Sequence, residues 1–456
     1  VAELVEQLAS YRSPSSVLDG DGKPPEPTEA ELAVPIVAPG TDALLPVGIV
    51  YQAGWEPLAD GMARHARAAS RALAHAGFPV SLRSLPITKM KLEGDIEPSV
   101  VAEIDHLRKT SIARAPVAIR QVVLHSHQFL EAVVSPLGSR WSGFQDELSV
   151  YRSTIVYTSW ERSTVHPELV EVLNRCGRVW VPCQMNKRVF EAAGVKRVDV
   201  IPCPYDPGVG ASRLSAPRGS ESVPGGKRFY AIGKWEPRKN YHALIGAFLS
   251  EFRQDERASL FVKTHEWGAW RDYPNVEQSL EWWLSVKEVA DNGWTKENYS
   301  QKLRIATKKL SDEKLLELHR LNNIYVTCSH GEAWDLPAFD ARAAGNRLVY
   351  TGYGGAEDYA GEEDMRIALH QLIAGKPDLE PVHSGYGWEP TAMWATCTIA
   401  EIRAALRLAS PPRRRVHPPD LYRRFGFPTV GREMSESIAR LSGTSHAELL
   451  EAGGFG

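Results

Sequence analysis

Cysteine is scarce in this chain of 456 residues. The five present, Cys176, Cys183, Cys203, Cys328 and Cys397, are an odd number with no Cys-x-x-Cys pair, which argues against both a disulfide framework and a zinc site. Long apolar runs are missing too. No stretch reaches the roughly 18 apolar residues of a membrane span, and the leading Val1-Ala-Glu-Leu-Val-Glu-Gln-Leu8 has neither the basic start nor the apolar core of a signal peptide. Nor is there an excess of charge. A formal net charge of -3 gives no global electrostatic reason to bind nucleic acid or an anionic membrane, and the basic runs Arg413-Arg-Arg415 and Arg423-Arg424 read as solvated surface. A reducing cytoplasm is the expected home, with any membrane contact peripheral.

What is present is enough apolar residue for two ordinary cores, at 43% of the chain. From Pro46 onward short apolar runs alternate with helical stretches: Val47 to Tyr51, a helix near 61 to 76, Phe78 to Leu82, Val122 to Leu124, Ile155 to Tyr157, Val179 to Val181 and Val198 to Ile201. A second alternating set has strands near 229 to 232, 259 to 263, 323 to 328 and 347 to 350. Such alternation predicts α/β architecture, with parallel sheets covered by helices on both faces. The expected organisation is an extension over 1–45, a first domain over 46–210, a linker over 211–228 within a stretch rich in Pro, Gly and Ser, a second domain over 229–410 and helices over 411–456. The extension contains Pro24-Pro-Glu-Pro27, which argues for extended structure. Its Asp19-Gly-Asp21 has a metal-binding spacing but no strand to fix it, so no metal site is expected.

Chemistry concentrates in residues 329 to 345, Ser-His-Gly-Glu-Ala-Trp-Asp-Leu-Pro-Ala-Phe-Asp-Ala-Arg-Ala-Ala-Gly. An apolar run precedes the segment, Pro337 can open a helix and Gly345 can close it. Glu332 then lies in a loop and Asp340 about a turn into the helix, where one carboxylate could hold sugar hydroxyls and the other a ribose, while free amides at the helix start face a diphosphate. The same pattern also fits a capped helix with two solvated acids. Upstream, Phe229-Tyr-Ala-Ile-Gly-Lys-Trp-Glu-Pro-Arg-Lys-Asn240 reads as a strand, a glycine turn and a basic loop before an amphipathic helix. Lys234 and Lys239 flank the turn. They could neutralise a departing nucleoside diphosphate or belong to a solvated basic loop. Five tryptophans, Trp267, Trp270, Trp282, Trp283 and Trp294, could form a sugar platform, but core packing is the commoner use of such residues.

Taken in order, these segments resemble the retaining family 4 glycosyltransferases of GT-B fold, whose motifs read Lys-Trp-Glu-x-Arg-Lys-Asn and Gly-Glu-Gly-Trp-Gly-Leu-Pro with a second Glu eight positions after the first. Gly61 with the helix after it, Tyr157-Thr-Ser-Trp-Glu161 and Gly352-Tyr-Gly-Gly-Ala-Glu-Asp358 match further family segments, so the likeness runs from about residue 46 to about residue 360. It implies two Rossmann-like domains facing a deep cleft, with the C-terminal helices crossing back onto the first. It also implies metal-independent, anomer-retaining transfer of a sugar from a UDP- or GDP-linked donor to a hydroxyl of a glycan, lipid or other small acceptor, with no cofactor. Glu332 would hold the donor sugar, Asp340 the ribose, and Lys234 and Lys239 the diphosphate, with Gly61, Trp334 and Leu336 lining the donor site. Glu161 and His127 are the candidates for the reacting face. The chain departs from the family at its two loop glycines, here Ala333 and Asp335, and at its second Glu, here Asp340. Ala333 loses freedom at positive φ, and Asp335 brings negative charge towards the diphosphate. Two alternatives stay open: a transferase acting on a macromolecule, such as a hydroxylated DNA base or a protein side chain, and a non-catalytic sugar-nucleotide-binding protein.

Overall fold

A computed structural model describes residues 44–53, 61–84, 98–124, 153–206, 226–265, 273–308, 310–374, 393–412 and 419–442. Residues 1–43 of the expected extension, most of the linker, Asp19-Gly-Asp21, His127, Trp267 and Trp270 lie outside these residues, and β1 begins two residues earlier than the first domain was expected to.

The first sheet is built from β1 (Leu44–Ala53), β2 (Val80–Ser84), β3 (Ser111–Gln121), β4 (Ser153–Tyr157), β5 (Arg178–Val181) and β6 (Val198–Val200), all parallel, in the spatial order β2-β1-β3-β4-β5-β6. Between them run α1 (Gly61–His75), α2 (Pro98–Lys109), α3 (Pro167–Arg175) and α4 (Gln184–Ala192). The β1 and β3 registers slip between Val47 and Ile49, beside Pro116, which has no amide hydrogen to give the ladder. Sequence periodicity marks a strand only at 122 to 124, just past the end of β3. The ladder instead begins at Ser111, and Val122 to Leu124 continue past it.

The second sheet holds β7 (Lys227–Ile232), β8 (Ala258–Lys263), β9 (Leu303–Ala306), β10 (Ile324–Thr327), β11 (Arg347–Thr351) and β12 (Met365–Ile367). Its order is β12-β11-β10-β7-β8-β9, again parallel throughout. Counted from its own first strand this is the Rossmann arrangement 3-2-1-4-5-6. The helices here are α5 (Tyr241–Glu251), α6 (Val276–Leu284), α7 (Lys287–Asp291), α8 (Asp312–Leu321), α9 (Leu336–Ala343) and α10 (Ala356–Tyr359), followed, after the antiparallel hairpin of β13 (Gln371–Ala374) and β14 (Met393–Thr396), by α11 (Ile399–Leu408).

Each sheet has its own core. Ile49, Tyr51, Val80, Val117 and Ile155 cluster with Leu73 of α1 in the first, and Phe229, Leu260, Val262, Leu244 and Phe248 cluster in the second. Trp283 and Trp294 join this second core, whereas Trp282 is 53% exposed. After α12 (Pro419–Phe425), α13 (Phe427–Ala439) returns to the first sheet, where Val430, Met434 and Ile438 complete its core and the Trp180 indole donates to Ser437 at 2.7 Å. Among the described residues, no helix is long and apolar enough to cross a membrane.

Candidate functional site

In a parallel sheet, ligands gather at the carboxyl ends of strands where the order reverses, because the loops there diverge and leave a crevice. In the second sheet the reversal falls between β7 and β10. The loop after β7 carries Gly233 and Lys234, then a single 3-10 turn over Pro237–Lys239. Asn240, with φ 57, starts α5. Trp235 pins this loop from beneath, its indole donating to the Pro274 carbonyl at 2.9 Å. The loop after β10 carries residues 328 to 335, and α9 begins at Leu336 with a proline in its first turn. Gly345, with φ 77, lets the chain leave that helix: its amide donates to Arg342 at 3.0 Å and the next amide to Ala341 at 3.0 Å.

The two loops meet through charge. The Lys239 ammonium pairs with the Glu332 carboxylate, which the Arg238 guanidinium also approaches at 3.1 Å. Arg238 further reaches Glu236 at 2.6 Å and Glu161 at 3.0 Å, and donates to the Gly331 carbonyl at 2.7 Å. Burial alone would raise the Glu332 carboxyl, but Lys239 and Arg238 outweigh it and hold the group well below the usual carboxylate range. Burial likewise disfavours the Lys239 ammonium, yet Glu332 and Asp335 beside it raise its pKa. Both stay ionised at neutral pH. Lys234 is partly buried just after Gly233.

Asp335, not Ala333, takes the left-handed conformation, at φ 64. The strain expected at Ala333 therefore falls on a residue type that tolerates it better. Asp335 is only 5% exposed, with Thr327 and the Ala338 amide among its polar neighbours, and burial, helped by Glu332, pushes its carboxyl up. Trp334 does not line an open pocket. It is 3% exposed and packs on Phe339, Tyr359 and Phe425, since burying the indole among three rings removes more apolar surface from water than a pocket wall would.

The glycine turn after β11 seats the acidic loop. A Cβ on Gly354, whose φ is 126, would lie 2.4 Å from the Glu332 carbonyl oxygen, and one on Gly355 would lie 2.5 Å from the Trp334 Cα. Only glycines allow this approach.

The first sheet's reversal, between β1 and β3, meets the same place. Gly61, at the start of α1 after β1, faces Leu336: a Cβ there would sit 3.5 Å from the leucine Cδ1. Arg64, one turn on, forks onto Asp340, with one branch at 2.7 Å. Glu161 brings its backbone so close to the acidic loop that a Cβ on Gly331 would lie 2.3 Å from its carbonyl oxygen. Asp358 accepts from the Gln184 amide at the start of α4 at 2.8 Å. Sequence reasoning passed over Arg238 and Arg64. The first was visible as a third cation in the loop of Lys234 and Lys239, the second as an arginine one turn past Gly61. Among the described residues, no three His, Cys, Asp or Glu side chains converge in a way that could hold a metal ion.

No family model matches the chain, and no curated protein matches it. Solved structures do. The lipopolysaccharide outer core galactosyltransferase WaaB, in its apo form, is similar over 86% of this chain and 98% of that one, with a TM-score of 0.51 at 9% identity. The fold is GT-B. The catalytic domain of starch synthase IV from Arabidopsis thaliana, bound to ADP and acarbose, covers 88% of this chain and 100% of its own at a TM-score of 0.49 and 10% identity. Sucrose-phosphate synthase from Thermosynechococcus elongatus covers 87% and 100%, at 0.44 and 12%. At 9% identity the likeness to WaaB is one of fold alone.

Proposed function

We propose that the protein is a retaining, metal-independent glycosyltransferase that moves a sugar from a nucleoside-diphosphate sugar to an acceptor hydroxyl. The observation that carries this reading is the charged knot of Lys239, Glu332, Arg238 and Glu161, assembled where the reversal points of both GT-B sheets converge. In the reaction the bond between the sugar's anomeric carbon and the diphosphate breaks, its electron pair leaves with the diphosphate, and the acceptor oxygen takes the vacated position while its hydroxyl proton passes to the departing phosphate oxygen. Charge therefore grows on the leaving phosphate. Lys234, Lys239 and Arg238, with the amides at the start of α9, are the groups that stabilise it, and preorganised cations in a water-poor site need no reorganisation as the charge develops. Glu332, held ionised, accepts the donor sugar's hydroxyls, and Asp340 holds the ribose. Glu161 contributes from the first domain to the reacting face, the role also proposed for His127. Closing the domains about both substrates supplies much of the rate through positioning. The five cysteines described are all free and buried, which supports work in a reducing cytoplasm.

A thermal-shift panel of nucleoside diphosphates and nucleotide sugars tests the donor site, because a ligand that binds only the folded chain raises its melting temperature. At millimolar concentration at least one nucleotide sugar raises it. A panel with no shift rejects the reading.

A further inference from the structure

Arg64 and Asp340 make the side-chain contact that ties α1 of the first domain to α9 of the second. The guanidinium meets both carboxylate oxygens, one at 2.7 Å, and the two side chains are 23% and 12% exposed. The pair lies one turn beyond the Gly61 and Leu336 contact, at the mouth of both reversal points. It also occupies the very carboxylate to which the proposed function gives the ribose. A guanidinium fork matches a phosphate as well as it matches a carboxylate, since both offer two oxygens to parallel N–H bonds.

We propose that this pair is an exchangeable clasp: a nucleoside diphosphate takes both of its ends, its ribose hydroxyls replacing Arg64 on Asp340 and its diphosphate replacing Asp340 on Arg64. Arg64 is thereby the cation that the first domain contributes to the donor's phosphates. The empty protein holds its domains together through the clasp, and the bound nucleotide bridges the same two side chains instead. Arg64 adds to the second domain's own loops, where the carboxylates Glu236 and Glu332 already engage Arg238 and Lys239. The inference rests on the proposed donor site.

The two ends of the clasp predict opposite effects with partial ligands, measured by titration calorimetry on the full chain. Arg64→Gln weakens nucleoside diphosphate binding roughly tenfold to a hundredfold, the range for a lost charge-assisted pair, while the affinity for the parent nucleoside, which has no phosphate, is unchanged or improved. Asp340→Asn weakens nucleoside binding but strengthens inorganic pyrophosphate binding, because the Asp340 charge no longer competes for Arg64. A clasp that only glues the domains predicts the reverse: both variants weaken every ligand alike, and pyrophosphate gains nothing from Asp340→Asn. That outcome overturns the proposal. Arg64→Lys, which keeps the charge without the fork and sits between Arg64→Gln and wild type, guards against a folding defect. If wild type binds nucleotides and both Arg64 variants bind them equally well, the clasp alone is wrong. If wild type binds none, the donor-site reading falls and takes the clasp with it.

Discussion

Asp335 is the residue where chemistry and conformation pull hardest against each other. It holds a left-handed backbone at φ 64 and a carboxyl buried beside Glu332, and each is unfavourable for an aspartate. Its native pKa lies above the ordinary 3.8, so the folded chain binds more protons than the unfolded one once pH rises past that value, and stability falls there with rising pH. Asp335→Gly removes both costs. We expect urea denaturation to show the variant more stable by about 1 kcal/mol at pH 7.5, after allowing for the extra freedom that glycine gives the unfolded chain. The gain shrinks toward pH 4, where the wild-type carboxyl is protonated. A gain that is absent, or independent of pH, would mean that Lys239 depends on Asp335 as well as on Glu332. At the same scale Gly331 admits the backbone of Glu161, a Cβ there falling 2.3 Å from a carbonyl oxygen. Gly331→Ala holds the domains apart by a fraction of an ångström to an ångström. Steady-state kinetics would then show turnover reduced roughly 10- to 100-fold by misplaced groups, with nucleotide affinity little changed.

At the scale of elements, α13 is the piece that most visibly joins sequence distance to fold. It crosses from the second domain to the first core, and Gly431 lets it lie against α1, where a Cβ would be 2.7 Å from the Ala72 carbonyl oxygen. Glu433 goes inward with it. One of its oxygens is buried without a hydrogen-bond partner, and burial pushes the group up to about 7 from 4.5. Stability should therefore drop as pH climbs through that window, and Glu433→Gln should remove the slope. Denaturation at pH 5 and pH 8 should show the wild type losing about 2 kcal/mol relative to the variant, less than the full shift implies because the side chain is partly exposed. Parallel slopes would contradict this. Most of the central strands were legible in the sequence: β1, β7, β8 and β10 are buried runs of apolar residues, which is what a strand covered on both faces must be. The edge strands β9 and β12 were not, since each is short, carries an arginine, Arg304 or Arg366, and needs only one ladder. The hairpin of β13 and β14 escaped for want of an alternating pattern. Within the site, motif order pointed to Glu332, Lys239 and Asp340. Arg64 and Arg238 stood in view beside the motifs, but the partner of Arg64 did not, because that contact spans 276 positions and depends on how two separately folded sheets face each other. The burial of Trp334 was not legible, because a tryptophan in such a loop looks the same in sequence whether it walls a pocket or plugs a core.

For the whole molecule, the proposed function requires that two GT-B domains converge on Glu332 so that sugar and leaving diphosphate are held at once. Glu332 sits between two cations. Replacing its charge leaves Lys239 and Arg238 without their shared anion, which costs stability as well as function, so the decisive measurement must separate the two. The release of nucleoside diphosphate from a panel of nucleotide sugars, followed for wild type and for Glu332→Gln at a temperature where both are folded by circular dichroism, does so. The account predicts slow hydrolysis or transfer from at least one nucleotide sugar by the wild type, and a loss of roughly a hundredfold or more in the folded variant, the range for removing one preorganised group from a reacting centre. Turnover by the variant equal to that of the wild type, or no turnover of any nucleotide sugar by the wild type, would contradict it.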